Sequence, residues 1–225
     1  MKYSIITPVY NSWLLMKKYF ESLENQIFKD FEIIIIDDKS KDDSFLRINE
    51  YKQKSSLKIT VIQNEKNSGP GYSRNKGIEI AKGEWITFID SDDWISENFF
   101  EKIDSIIKNN DCNCVVFDYS AIRNNKIHEA LTVYGNHSDG FLNISDSICD
   151  VRNHTFCKVY RKNILNQNNI IFPELKRCED VAFVCQALVA CKSIYYLKES
   201  LYFYNQHAGS LANNSNLAEN DMVLA

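Results

Sequence analysis

The residues of this chain that could do chemistry gather in two acidic clusters and one glycine-rich stretch. Asp37-Asp38-Lys39-Ser40 follows the apolar run 31–36, and Asp90-Ser91-Asp92-Asp93-Trp94 follows the run 85–89. Carboxylates gathered this closely repel one another and need either a cation or a dense set of hydrogen-bond donors. Oxygen-only ligands favour Mg2+ or Mn2+, shared with the phosphates of a ligand. One Asp of such a group can hold the cation while its neighbour reaches a ribose hydroxyl, a division that suits a metal–nucleoside diphosphate. Each Asp alone has a plainer reading, as the N-cap of a following helix whose dipole favours a negative charge. An Asp-x-Asp by itself is weak evidence. Two acidic clusters, each directly after a strand-like run, are much stronger.

The glycine-rich stretch reads Asn67-Ser68-Gly69-Pro70-Gly71-Tyr72-Ser73-Arg74-Asn75-Lys76-Gly77. A dinucleotide G-x-G-x-x-G pattern fails at its third glycine, where Arg74 stands, and the Gly-Lys-Ser/Thr of a P-loop is missing. Pro70 suits the first turn of a helix, which puts Arg74 about one turn inside it. Two readings of Arg74 stay open: an ion pair with a nearby Asp, or a nucleotide contact from the carboxylate edge. Only 7 Gly and 3 Pro occur in 225 residues, and four of those glycines lie at positions 69, 71, 77 and 83. Gly83 reads as the end of the helix.

These side chains have to be held by elements, and the first 110 residues alternate. Strand patterns at 3–7, 31–36, 57–62 and 85–89 are separated by helical periodicity at 12–26, 42–54, 72–81 and 97–108. The run 31–36 has the continuous β-branched character of a strand buried on both faces. Such alternation predicts an α/β fold with a mostly parallel central sheet, right-handed crossovers and helices on both faces. Ligands of such sheets bind beyond the carboxyl ends of the strands, where both acidic clusters fall. A strand at 114–119 follows, and beyond residue 121 the rhythm changes: a turn at 124–126, a short apolar run at 156–160, helices at 161–166 and 180–190, and a late hairpin from 194–197 and 201–204. The tail 213–225 has no clear period. The expected organisation is one domain in two halves, residues 1–110 and 111–225.

Composition narrows the class. With 26 basic against 30 acidic residues and no long basic run, phosphate neutralisation of a nucleic acid is a poor fit. The pure apolar runs, such as 33–36, reach at most five residues, far short of the ~20 residues of a membrane span, and no signal-peptide core precedes the first strand. Seven cysteines without a CxxC pair predict reduced, mostly buried thiols. Together these features predict a cytoplasmic protein with no transmembrane segment.

The motifs Pro8-x-Tyr10-Asn11, Asp37-Asp38-x-Ser40, Asn67-x-Gly69-x-x-x-Ser73-Arg74-Asn75-x-Gly77 and Asp90-Ser91-Asp92-Asp93 resemble, in order and spacing, those of family-2 inverting glycosyltransferases of the GT-A (Rossmann-like) fold. The resemblance covers residues 3–100, with Ser73 where the family more often has Ala. It implies a nucleotide-diphosphate sugar donor, a UDP-sugar first, and an acceptor hydroxyl on a glycan or lipid-linked carrier in surface polysaccharide synthesis. By the same resemblance Pro8, Tyr10 and Asn11 hold the nucleotide base, Asp38 meets the base, and Asp90 and Ser91 lie at the ribose. Asn67, Gly69 and Arg74 frame the nucleotide, and Asp92 binds Mn2+ or Mg2+.

Glu179-Asp180-Val181-Ala182-Phe183 resembles the family's Glu-Asp-x-x-Phe, whose Asp is the proposed base; an acidic first turn for that helix is the plainer alternative. Glu179 and Lys158 are carried over as phosphate or acceptor contacts, Lys158 with a solvated lysine as its alternative. His207, in Tyr204-x-x-His207-x-x-Ser210, is carried over as a second metal ligand. Family members often run on into acceptor-binding or membrane-associating regions, so the C-terminal part is expected to be cut short, and action at the inner face of the membrane stays open. A sugar nucleotidyltransferase is the enzymatic alternative, although Val9-Tyr10-Asn11 stands where its basic Gly-rich loop belongs. A nucleotide-sugar binding domain, inactive without a missing C-terminal part, is the other.

Overall fold

The computed structural model describes residues 1–124, 126–131, 133–135, 137–143, 154–175 and 178–207. Strand β1 (Tyr3–Val9) runs parallel to β2 (Phe31–Asp37), in register from Tyr3 opposite Phe31 to Val9 opposite Asp37. All seven residues of β2 are buried, as in a strand covered on both faces, with Glu32 accepting from Ser4 Oγ at 2.7 Å. β3 (Ile59–Gln63) and β4 (Trp85–Phe88) extend the parallel set. The linking helices are α1 (Lys17–Glu24), entered through a 3-10 turn at Trp13–Leu15, α2 (Ser44–Lys54) and α3 (Pro70–Ile80).

The second half joins the same sheet. After the two-residue β5 (Trp94–Ile95) and α4 (Phe99–Asn109) come β6 (Cys114–Arg123), β7 (Lys126–Leu131), β8 (Gly140–Leu142) and β9 (Lys158–Arg161). Helices α5 (Lys162–Gln167) and α6 (Glu179–Cys191) and strand β10 (Ile194–Gln206) follow. The sheet order is β3-β2-β1-β4-β9-β6-β10-β5, with β7 on β6 and β8 on β10. β9 is antiparallel to both β4 and β6, whereas β10 lies parallel to β6 and antiparallel to β5. One buried hydrophobic cluster runs through both halves, from Ile5 and Phe88 to Phe117, Tyr160 and Phe183. The α/β architecture expected from the alternation is therefore present.

Two local expectations are corrected. The late hairpin does not form: residues 194–206 are one strand, whose register on β6 shifts between Leu197 and Ser200 and again between Ser200 and Tyr202. The polar residues that read as a turn are absorbed there. Lys198 N–H donates to Asp139 Oδ1 at 2.8 Å, and Glu199 pairs with Lys102 at 3.0 Å. Nor does Gly83 end α3, which stops at Ile80 with Ala81 as its cap. Gly83 is instead a close approach, because a Cβ there would lie 2.6 Å from Ser4 N.

Four cysteines (112, 114, 157 and 191) are buried, Cys185 is half-buried and Cys178 is exposed; all six are free thiols. Cys149, Ser210 and the tail 213–225 lie outside the described residues. Among the described residues no helix is long and apolar enough to cross a membrane.

Candidate active site

Of the five clustered aspartates, three are answered by hydrogen-bond donors of the fold. Asp37 is fully buried and accepts from Ser40 N at 3.0 Å and Gln63 Nε2 at 2.9 Å. Asp38, also buried, follows β2 and accepts from Asn64 Nδ2 at 2.8 Å, Ser68 N at 2.9 Å and Gly69 N at 2.7 Å. It thereby ties the loop that opens α3, where Gly69 takes φ +87°, a value only glycine adopts without strain. Asp93 is buried behind β5, with Asn205 N at 2.7 Å and the Tyr202 hydroxyl as donors. Donors thus satisfy these three. Only Asp90 and Asp92 keep accessible carboxylates, with side chains 30% and 23% exposed.

Asp90 is held by Arg74. From α3 the guanidinium reaches Asp90 Oδ1 with Nη2 at 2.9 Å and Asp180 Oδ1 with Nη1 at 2.9 Å, and Glu179 lies 4.0 Å away. Burial alone would lower the Arg74 pKa, but Asp90, Asp180 and Glu179 together raise it. This is the ion-pair reading of Arg74, doubled, on a side chain only 5% exposed. α3 can approach this closely because Gly77 lies against β1, where a Cβ would stand 2.3 Å from Ile6 Cγ2.

Asp180 lies in the first turn of α6, a position the helix dipole favours for an acid. Burial nevertheless pushes its pKa up to about 6; Arg74 pulls it down, and Glu179 and Asp90 push it up further. A carboxyl ionising near neutrality, one third exposed, is poised to accept a proton.

Asp92 Oδ2 lies 2.7 Å from His207 Nε2, just past the end of β10. Burial and Asp90 raise the Asp92 pKa, while the hydrogen bonds from His207 and from a backbone N–H oppose the rise. Among the described residues no three His, Cys, Asp or Glu side chains cluster to hold a metal. One carboxylate and one imidazole nevertheless suit a hard divalent cation that completes its shell with phosphate oxygens and water.

The matching family model, described as "Glycosyl transferase family 2", covers residues 4–168. The chain belongs to glycosyl transferase family 2. It is 33% identical over 207 residues to the poly(ribitol-phosphate) beta-glucosyltransferase of Bacillus spizizenii, covering 91% of this chain and 32% of that protein. It is also 33% identical over 216 residues to the putative glycosyltransferase EpsH of Bacillus subtilis, covering 92% of this chain and 62% of that one. The crystal structure of S. aureus TarS in complex with UDP-GlcNAc superposes with a TM-score of 0.82 at 27% identity, over 93% of this chain and 60% of that chain. The chain thus spans about a third of the length of the first of these relatives. The fold is GT-A.

In this family-2 chain the remaining expected site residues fall at the same sheet edge with differing tasks. Asn11, at φ +50°, joins two loops: its N–H donates to Ser40 Oγ at 3.0 Å and its Oδ1 accepts from Lys41 N at 2.7 Å. Tyr10 beside it is 41% exposed, and Pro8 lies within β1 rather than at its end. Ser91 shares a 2.8 Å hydrogen bond with Ser12. Asn67 is exposed next to the Asp38 cradle. Lys158 is corrected against its solvated alternative, being fully buried with Nζ donating to the His154 carbonyl at 2.7 Å. Neither Asn64 nor Tyr202 belongs to the motifs, and Asn75 stands in the glycine-rich motif with no role attached. Asn64 joins Asp38 to Ser73 at 2.8 and 3.0 Å, which gives the unusual Ser73 a use. Tyr202 accepts from Asp90 N at 3.2 Å while donating to Asp93.

Proposed function

We propose that this chain is the catalytic domain of an inverting glycosyltransferase that moves a sugar from a UDP-sugar to a hydroxyl of a glycan or lipid-linked acceptor. The observation that carries the reading is one guanidinium spanning a donor-side carboxylate, Asp90, and an acceptor-side carboxyl, Asp180, whose pKa lies at about 6. UDP is the preferred nucleotide because TarS is solved with UDP-GlcNAc.

In this reading Asp180 takes the proton of the attacking hydroxyl, whose oxygen forms the new bond at the anomeric carbon as the bond to the diphosphate breaks on the opposite face. The configuration inverts and UDP leaves. Arg74 holds Asp90 and Asp180 at a fixed separation, so donor and base are positioned together. Asp92 and His207 would hold Mn2+ or Mg2+, which when bound offsets charge on the departing diphosphate. Asp38, Asn67 and Gly69 shape the nucleotide end, beside Tyr10 and Asn11. Residues 1–110 serve the donor, and α6 with β9 and β10 faces the acceptor.

The test is UDP release from a panel of UDP-sugars with Mn2+, comparing wild type with Asp180→Asn and Asp92→Asn. Each substitution is expected to lower turnover at least about 100-fold, within the range of losing a general base or a charge-stabilising group. Full activity in both variants would falsify the mechanism.

A further inference from the structure

Asn75 is the best-aimed polar side chain that the proposed chemistry leaves unused. It lies on α3, one residue after Arg74. Its Nδ2 donates to the Phe172 carbonyl at 2.8 Å, and its Oδ1 accepts from Phe172 N–H at 2.8 Å. One amide thus satisfies both backbone groups of a residue in the connection between α5 and α6, as a neighbouring strand would. Phe172 is buried and stacks on Phe183 of α6 at 3.9 Å with the rings 3° apart. Phe183 is three residues beyond Asp180, on the same face of the helix. Phe172 also meets Phe88 edge-on at 5.4 Å, just before the Asp90 cluster.

Contact between α3 and this segment is close throughout. The Arg74 guanidinium lies 5.4 Å from the Phe172 ring. A Cβ on Gly71 would stand 3.2 Å from Phe172 Cβ and 3.1 Å from Glu179 Cγ. Besides the chain connection, the Phe172–Phe183 stack ties the pinned residue directly to α6.

We infer that Asn75 is a positioning residue that sets the place of Asp180 by clamping the backbone of Phe172, without itself touching donor or acceptor. The inference rests on the reading of Asp180 as the base. It assigns adjacent residues of α3 two tasks, with Arg74 gripping the base side chain and Asn75 gripping the segment that delivers it. A reacting group displaced by about 1 Å can lose about 100-fold in rate even when the substitution is remote from the chemistry.

The experiment is a double-mutant cycle of Asn75→Ala with Asp180→Asn, read as UDP release from UDP-GlcNAc with Mn2+, beside amide hydrogen exchange of the full chain. Asn75→Ala is expected to lower turnover about 10–100-fold while the Kd for UDP with Mn2+ is unchanged, and to cost nothing further when Asp180 is already Asn. Without any turnover, the amides of Phe172, Ala182 and Phe183 should exchange faster while those of β1 and β2 keep their protection. Asn75→Asp keeps the accepting oxygen for Phe172 N–H and should fall between; it replaces the alanine variant in the cycle if that variant does not fold. Effects that multiply across the cycle, or unchanged exchange at Phe172 and Phe183, overturn the proposal. Equal turnover of wild type and Asp180→Asn would instead remove the base, leaving the exchange pattern to judge the clamp.

Discussion

The environment of Asp180 works against its own charge, and that sets the pH dependence expected of the proposed reaction. Burial raises the pKa to about 6, with Glu179 and Asp90 adding to the rise and Arg74 opposing it. The fold therefore prefers the protonated acid: stability tied to this group is present below the ordinary Asp pKa of about 4 and is lost as pH rises through about 6. Activity runs the other way, because a base must be ionised to accept a proton. UDP-sugar turnover with saturating Mn2+ is expected to climb with a midpoint near 6, from about a tenth of maximum one pH unit below to about nine tenths one unit above. Arg74→Lys should move that limb to higher pH, since a lysine cannot reproduce the two-armed bridge that holds the pKa down. A limb that stays in place in the variant would show that Arg74 does not act on the base.

At the scale of elements, β10 assembles more of the site than any other single strand. Tyr202 accepts from Asp90 N and donates to Asp93, Asn205 N donates to Asp93, and His207 follows to meet Asp92. Tyr202→Phe keeps the ring stacked on Phe156, at 4.7 Å and 6°, but takes a donor from a buried carboxyl. A loss of about 1–3 kcal/mol is expected in urea unfolding, with weaker UDP–Mn2+ binding as the Asp90–Asp92 turn loosens. A stable variant with unimpaired binding would show that the strand does not hold the turn.

This dependence also explains what was legible in the sequence. β1, β2 and β4 were readable because short, largely apolar runs announce buried strands, and the acidic clusters because they follow such runs directly; β3, mostly half-buried, lies at Ile59–Gln63 rather than 57–62. Which aspartates stay accessible was not readable, since Asp93 is satisfied by donors 109 and 112 residues away. The same kind of distance hid what Asn75 does, although the glycine-rich motif contains it, because its partner is 97 residues on. β10 was misread because Lys198-Glu199 has the polarity of a turn, while its pairing with β6 is a tertiary fact.

Across the whole molecule, excess negative charge, net −4 from 26 basic and 30 acidic residues, is at its most exacting where the proposed ligand is an anion. Asp90 and Asp92 both face the accessible edge, and the bridging cation Arg74 is already shared between carboxylates. A diphosphate entering alone would meet the repulsion of Asp90 and Asp92, and a divalent cation alone would find, among the described residues, the Asp92–His207 pair but no phosphate oxygens. Binding of the two should therefore be strongly cooperative, each supplying what the other lacks. At a hundredfold excess over Kd, bound ligand stabilises the fold by about 2.7 kcal/mol. For a chain of this size that corresponds to a rise in Tm of about 5–10 °C. The full shift is expected only with UDP and Mn2+ together, with little from either alone, and EDTA should abolish it. His207→Ala should weaken the joint effect while leaving the unliganded Tm nearly unchanged, because the imidazole is held at the end of a strand rather than in the core. An equal shift from UDP in the presence of EDTA would mean that Arg74 and the helix termini suffice for the diphosphate, and that Asp92 and His207 serve the fold rather than a cation.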